Sequence, residues 1–231
     1  MSTAVVIGAS SGVGRALATA LAQRGRHLVL VSRSAQELET LADELRQRFG
    51  VHCWPLAQDI GQPDWDVSAF VGECVTRIGE PELLLVPAGG VAGSDNGPNP
   101  DAIRPLLETN YIGPARLAAA FGQHMAGRGA GSIVLFSSIA AAAPRAKNPA
   151  YSAAKAALET YAKGLRHALD GRGVEVLVLA LGYVDTRQTA GMKLLFPKAS
   201  PEAVAERALN GLEARRIQGG RHYYPRFWWW V

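Results

Sequence analysis

The segment "YSAAK" sets Tyr151 and Lys155 four positions apart in a run of small residues. In a helix that spacing brings both side chains to one face, one turn apart. A free phenol has a pKa of ~10, too high for easy two-way proton exchange at neutral pH. An ammonium a few ångströms away stabilises the phenolate and lowers that value, each unit corresponding to ~1.4 kcal/mol. The pair is a candidate acid–base couple. Taken singly, each residue has an ordinary explanation: a tyrosine packs on an amphipathic helix, and a lysine beside it is a solvated charge. Their company gives them weight. Ser138 stands thirteen residues before Tyr151, at the end of an apolar run, where its hydroxyl can bond an oxygen held near the phenol.

These side chains need a scaffold, and the chain alternates short apolar runs with longer amphipathic ones. Strands are predicted over 3–8, 27–32, 51–59, 82–90, 131–138 and 174–182, with a weak last one in "RHYYP". Helices are predicted over 12–25, 35–50, 64–79, 101–128, 149–171 and 200–216. The last of these opens on Ser200, Pro201 and Glu202, the expected N-terminal signals. Strands this apolar, each followed by a helix, imply a parallel sheet covered on both faces. With right-handed crossovers that is a doubly wound α/β fold in three layers, a single domain over 1–231 with no internal repeat. Ligands of such sheets bind outside the carboxyl ends of the strands. Ser138 lies there, and Tyr151 and Lys155 lie on the helix that follows.

Composition narrows the class further. The 231 residues are 48% hydrophobic and 19% charged, an ordinary globular balance, and the net charge of +4 is spread along the chain. No basic stripe for nucleic acid stands out. Cys53 and Cys74 lack metal or redox spacing, so free thiols in a reducing compartment are expected. No apolar run approaches the ~18 residues that span a bilayer, and "MSTAVVIGAS" enters fold sequence at once, so no cleaved leader is expected. A cytoplasmic location is the expectation.

Directly after the first strand comes "GASSGVG", Gly8 to Gly14, opening the first helix. Glycines here let the backbone turn sharply and approach a pyrophosphate, whose charge is favoured at a helix N-terminus. Gly8, Ser10, Ser11, Gly12, Val13 and Gly14 are the candidate cradle, and Arg15 in this turn is placed to help Arg33, after the second strand, grip a phosphate.

The glycine spacing is GxxxGxG, and Ser138, Tyr151 and Lys155 follow Ser-x12-Tyr-x3-Lys. Together they resemble the short-chain dehydrogenase/reductase family of classical type, over roughly residues 3 to 225, with Ile7 where its glycine motif has threonine. The resemblance implies a Rossmann-like fold and an oxidoreductase that reduces a carbonyl to an alcohol, or the reverse, by hydride transfer. Tyr151 would be the acid in reduction and the base in oxidation. Ser138 would hold the substrate oxygen, and Lys155 would tune Tyr151 and bind the nicotinamide ribose. Asn110 would help hold a water linking Lys155 to solvent. Gly113 and Pro114 would disturb the helix locally and free carbonyls for it. Asp59 would bind the adenine amino group and Ile60 flank the ring. The family's NNAG appears as "PAGG", which leaves Ala88, Gly89 and Gly90 to approach the adenosine ribose but weakens stabilisation of the strand end. Its PG appears as "LG", and Gly182, Val184 and Thr186 match positions against the nicotinamide. After the second strand, an acidic residue would bind the ribose and exclude a 2′-phosphate. Arg33 stands there instead, and its guanidinium favours NADP(H) over NAD(H).

Substrate choice is expected in the loops 91–100 and 183–200, where Met192, Leu194, Leu195 and Phe196 would roof an apolar pocket. The tail "YYPRFWWWV" suits burial, a subunit interface or peripheral membrane contact. The resemblance implies a homodimer or homotetramer. Two other readings are compatible with a nucleotide fold: a redox sensor or scaffold without turnover, and a dehydratase or epimerase.

Overall fold

Alternation with period two divides the first strand, Thr3–Ile7 (β1), between two cores. Ala4 and Val6 pack on one side of the sheet, Val5 and Ile7 on the other. The computed structural model describes residues 2–90, 97, 99–191, 196–214 and 220–227. The remaining strands are His27–Ser32 (β2), Cys53–Ala57 (β3), Leu83–Val86 (β4), Gly131–Ser138 (β5), Val174–Leu181 (β6) and Gly220–Tyr224 (β7). All pair in parallel in the order β3-β2-β1-β4-β5-β6-β7, so the expected last strand is present and closes one edge. The order reverses between β1 and β4, which opens the crevice where such sheets bind ligands.

Helices Gly12–Gln23 (α1), Ala35–Phe49 (α2) and Pro201–Glu213 (α7) cover one face, burying residues such as Leu17, Leu41 and Leu209. Helices Val67–Ile78 (α3), Gly113–Arg128 (α5) and Pro149–Ala168 (α6) cover the other with Phe70, Phe121 and Leu158. Each such side chain contributes about 1.5–3 kcal/mol when fully buried, which is how a chain with two free cysteines, Cys53 and Cys74, docks its helices. Burial pushes those thiols up to about 11 and about 12, leaving them protonated and unreactive at neutral pH.

Three expected boundaries shift for local reasons. The helix expected from 64 begins at Val67, because Asp66 caps it by accepting from the Ala69 N–H at 2.9 Å. The one expected to 171 ends at Ala168, before Gly171 and Gly173 turn the chain with φ of 69° and 75°. The long helix expected over 101–128 is Pro100–Leu107 (α4) and α5 joined by a π-helical turn, Glu108–Ile112. Among the described residues, no helix is long and apolar enough to cross a membrane. Trp228, Trp229 and Trp230, Met192, Leu194 and Leu195, and the loop residues 91–96 and 98 lie outside the described residues.

Candidate active site

The glycine-rich turn is tied to β2, since the N–H groups of Gly8 and Ala9 both donate to the Val31 carbonyl at 2.7 and 3.0 Å. A Cβ on Gly14 would sit 2.0 Å from the Gly8 carbonyl oxygen, so only glycine lets α1 start this close to the strand end. Ser11 stands at the N-cap of α1 without a side-chain cap bond, and the first turn carries no acid. Its N-terminal N–H groups and positive dipole end are thus open to an anion. Ser10, Gly12 and Val13 line the same cleft.

Arg33 is exposed at the cleft rim beyond β2 and forms no ion pair among the described residues. Arg15 lines the same cleft, its half-exposed guanidinium pairing with Glu44 of α2 at 2.6 Å. Asp59 orders the loop after β3 by accepting from the Gly61 N–H at 2.9 Å, and Ile60 beside it is buried.

The weakened strand end after β4 proves to be braced from elsewhere. Asn110, fully buried in the π-turn, accepts from the Gly90 N–H at 2.9 Å and donates to the Gly90 and Leu106 carbonyls, each at 3.0 Å. The side chain is spent on backbone, so a water relay to Lys155 would have to use the Asn110 main-chain carbonyl. Pro114, four residues on, has no N–H to give that carbonyl its α-helical bond. Gly89 holds φ of +136°, and a Cβ there would lie 2.5 Å from Asn110 Oδ1 and 2.9 Å from Lys155 Nζ. Ala88 and Gly89 therefore bring the β4 end against both residues.

Ser138 ends β5 and α6 presents Tyr151 and Lys155 toward it. The Ser138 hydroxyl is hydrogen-bonded to Tyr151. Lys155 is buried, its Nζ donating to the Phe136 carbonyl at 3.0 Å and lying 5.8 Å from the Tyr151 ring centroid. The phenol expected to lie below its ordinary value lies above it. Burial pushes Tyr151 above its ordinary value, and the opposing pull comes from the bond with Ser138. Burial also pushes Lys155 down to about 8, against the attraction of Glu159.

Gly182, Val184 and Thr186 follow β6 and complete the far wall. Their loop is held by a bridge from Val184 to Ala199 and by Lys198, which donates to the Thr189 carbonyl at 2.6 Å and pairs with Asp185 at 3.3 Å. Phe196, expected in the pocket roof, stands exposed against Phe227, with ring centroids 5.7 Å apart, and is not among the residues lining the cleft. The cleft that gathers the other candidates encloses about 1680 Å³. A small-ligand pocket is ~300–1,000 Å³, so this one has room for a dinucleotide and a second molecule. Sequence reasoning missed Ser137, Glu159 and Arg221, which meet behind Lys155. The step of four from Tyr151 through Lys155 to Glu159 was the one signal for any of them.

A family model for short chain dehydrogenase matches residues 2–193. An uncharacterized oxidoreductase of Myxococcus xanthus is 35% identical over 190 residues, 81% of this chain and 74% of that protein. A short-chain dehydrogenase from Sphingobium yanoikuyae, solved in complex with NADPH, superposes with a TM-score of 0.84 at 29% identity, covering 96% of this chain and 87% of that one. A bulky-bulky ketone specific alcohol dehydrogenase from Comamonas testosteroni gives 0.83 at 29% identity, covering 97% and 86%.

Proposed function

The chain belongs to the short-chain dehydrogenase family of NAD(P)-dependent oxidoreductases, and on that premise we propose that it reduces a carbonyl to an alcohol, or the reverse, with NADP(H). The observation that carries the reading is the Ser138–Tyr151 hydrogen bond with Lys155 one turn behind it, at the mouth of a dinucleotide-sized cleft. The Sphingobium relative's NADPH and the Comamonas relative's ketone specificity support it.

The fit to a nicotinamide dinucleotide rests on the Gly14 close approach and the uncapped start of α1. Gly8 to Gly14 would hold the pyrophosphate, Arg33 a 2′-phosphate, and Asp59 and Ile60 the adenine. Ala88, Gly89 and Gly90 would lie along the adenosine ribose. Lys155 would bind the nicotinamide ribose, with Gly182, Val184 and Thr186 against the ring. When bound, the cofactor supplies the hydride that reduces the carbonyl carbon.

Ser138 donates to the substrate oxygen and aligns it with Tyr151. The phenol O–H breaks as the alcohol O–H forms, and the phenolate left behind is stabilised by the Lys155 ammonium until a proton arrives from solvent. A homodimer or homotetramer belongs to the same proposal.

Tyr151→Phe tests the reading. With NADPH and a panel of small and long-chain ketones, kcat should fall about 10²–10⁴-fold while NADPH binding persists. Equal turnover by parent and variant would refute the mechanism, and an inert parent that still binds NADPH would point to a sensor.

A further inference from the structure

The row on α6 continues past Lys155. Glu159 follows one turn later and is only 8% exposed. Its Oε1 accepts from the Ser137 hydroxyl at 2.6 Å, and its Oε2 lies 3.1 Å from Nε of Arg221 on β7. Three consecutive residues of β5 thus meet three successive turns of α6: Ser138 holds Tyr151, the Phe136 carbonyl holds Lys155, and Ser137 holds Glu159. Arg221 is partly buried, its Nε and Nη2 shielded from solvent and its guanidinium 4.5 Å from the Tyr223 ring centroid.

A carboxylate is taken out of water only where charged or donor groups replace the water. The charged groups facing Glu159 are Arg221 from β7 and Lys163 and Lys155 from its own helix, with the Ser137 hydroxyl from β5. Around Lys155 stand the Tyr151 ring, the Phe136 carbonyl and, across Gly89, the neutral Asn110 amide. Glu159 is the anion acting on that ammonium.

We propose that Glu159 is a positioning residue for Lys155: clamped by Ser137 and Arg221, it is the fixed anion one helical turn behind the ammonium that holds Lys155 in its charged form. Its consequence for turnover rests on the function proposed above, but the electrostatic claim does not. Burial pushes the Glu159 carboxyl above its ordinary value, and Ser137 and Arg221 are the foremost of the groups that pull it back toward the anion. Arg221 links this to the sheet edge, since the strand that carries it pairs with β6 through Val178.

A purely structural Glu159, tying β7 to α6, would leave the lysine titration unmoved. The chain has five lysines, so lysine-labelled full-length protein gives a readable NMR titration, with the Lys155 signal assigned through Lys155→Arg. Glu159→Gln should weaken proton binding at Lys155 about tenfold or more, a midpoint lower by about one unit. Glu159→Asp, which keeps the charge, should restore most of it. A Glu159→Gln midpoint within about 0.2 units of the parent, or above it, overturns the proposal. If that variant does not fold because Arg221 is left unpaired, Glu159→Gln with Arg221→Met removes both charges, and the same two outcomes apply. The titration uses neither substrate nor cofactor, so an inert protein would refute the proposed function without touching this result.

Discussion

Lys155 is an ammonium held largely out of water, and that has a thermodynamic signature. Burial holds it at about 8 against an ordinary 10.5. Between those values the unfolded chain binds the proton and the folded chain does not, so this group makes stability rise with pH across that window. Below about pH 8 the folded protein bears the whole penalty, about 3 kcal/mol from the gap between the two values. Lys155→Met should therefore be more stable than the parent at pH 7 by up to that amount. Its advantage should shrink as pH rises toward 10, while turnover is lost. Urea unfolding at pH 7 and pH 10 checks both signs, and a variant less stable at pH 7 would contradict the argument. Such a trade, stability given up for a strained functional group, is common at active sites.

Two element-level features hold the site. One is the pairing of β5 with α6, which turns a helical step of four into a row facing consecutive strand residues. The other is the π-turn between α4 and α5, which aims Asn110 at the loop after β4 and presses Gly113 onto the loop after β3. A Cβ on Gly113 would lie 2.2 Å from the Ile60 carbonyl oxygen and 3.0 Å from its carbon. Both atoms are backbone, so neither can rotate away. Gly113→Ala should cost about 1–3 kcal/mol by overpacking, lowering Tm by roughly 2–4 °C for each kcal/mol in a domain of this size. NADP(H) affinity should fall with it, because the displaced segment carries Asp59 and Ile60. Unchanged Tm and affinity would mean that α5 can slide away from β3 at no cost.

At the scale of the whole molecule, the strand order decides where everything meets. Reversal between β1 and β4 sets the glycine-rich turn beside the β4 end, and β5, α6 and the loop after β6 then add the Ser138–Tyr151–Lys155 row and the far wall to one crevice. A ligand filling that crevice touches most of the sheet's carboxyl edge, so binding should stabilise the fold globally. At a hundredfold excess over Kd the gain is about 2.7 kcal/mol, or roughly 5–10 °C in Tm. NADP(H) should give the larger shift and NAD(H) the smaller. Arg33→Asp should invert that order by replacing a phosphate-binding guanidinium with a carboxylate that suits the bare ribose. Equal shifts for both cofactors in the parent would remove Arg33 from the account of cofactor choice.

Apolar periodicity, the glycine turn and the Ser138–Tyr151–Lys155 spacing were enough to read the layered parallel sheet and to bring those three residues and the turn to one end of it. Those are local patterns, and a strand's alternation or a helix's step of four survives without any knowledge of what packs against it. Contacts between distant segments were not legible. Nothing near Gly90 announces that Asn110, twenty residues later, braces it, and nothing near Glu159 announces Arg221 on an edge strand. The Phe196–Phe227 contact and the Arg15–Glu44 pair were hidden for the same reason, since the partners lie far apart in sequence. The proton affinities of Tyr151 and Lys155 belong to this second class. Spacing brings the two groups together, but burial, which only the packed structure sets, outweighs the Ser138 bond at the phenol and the Glu159 charge at the ammonium, pushing the one up and the other down.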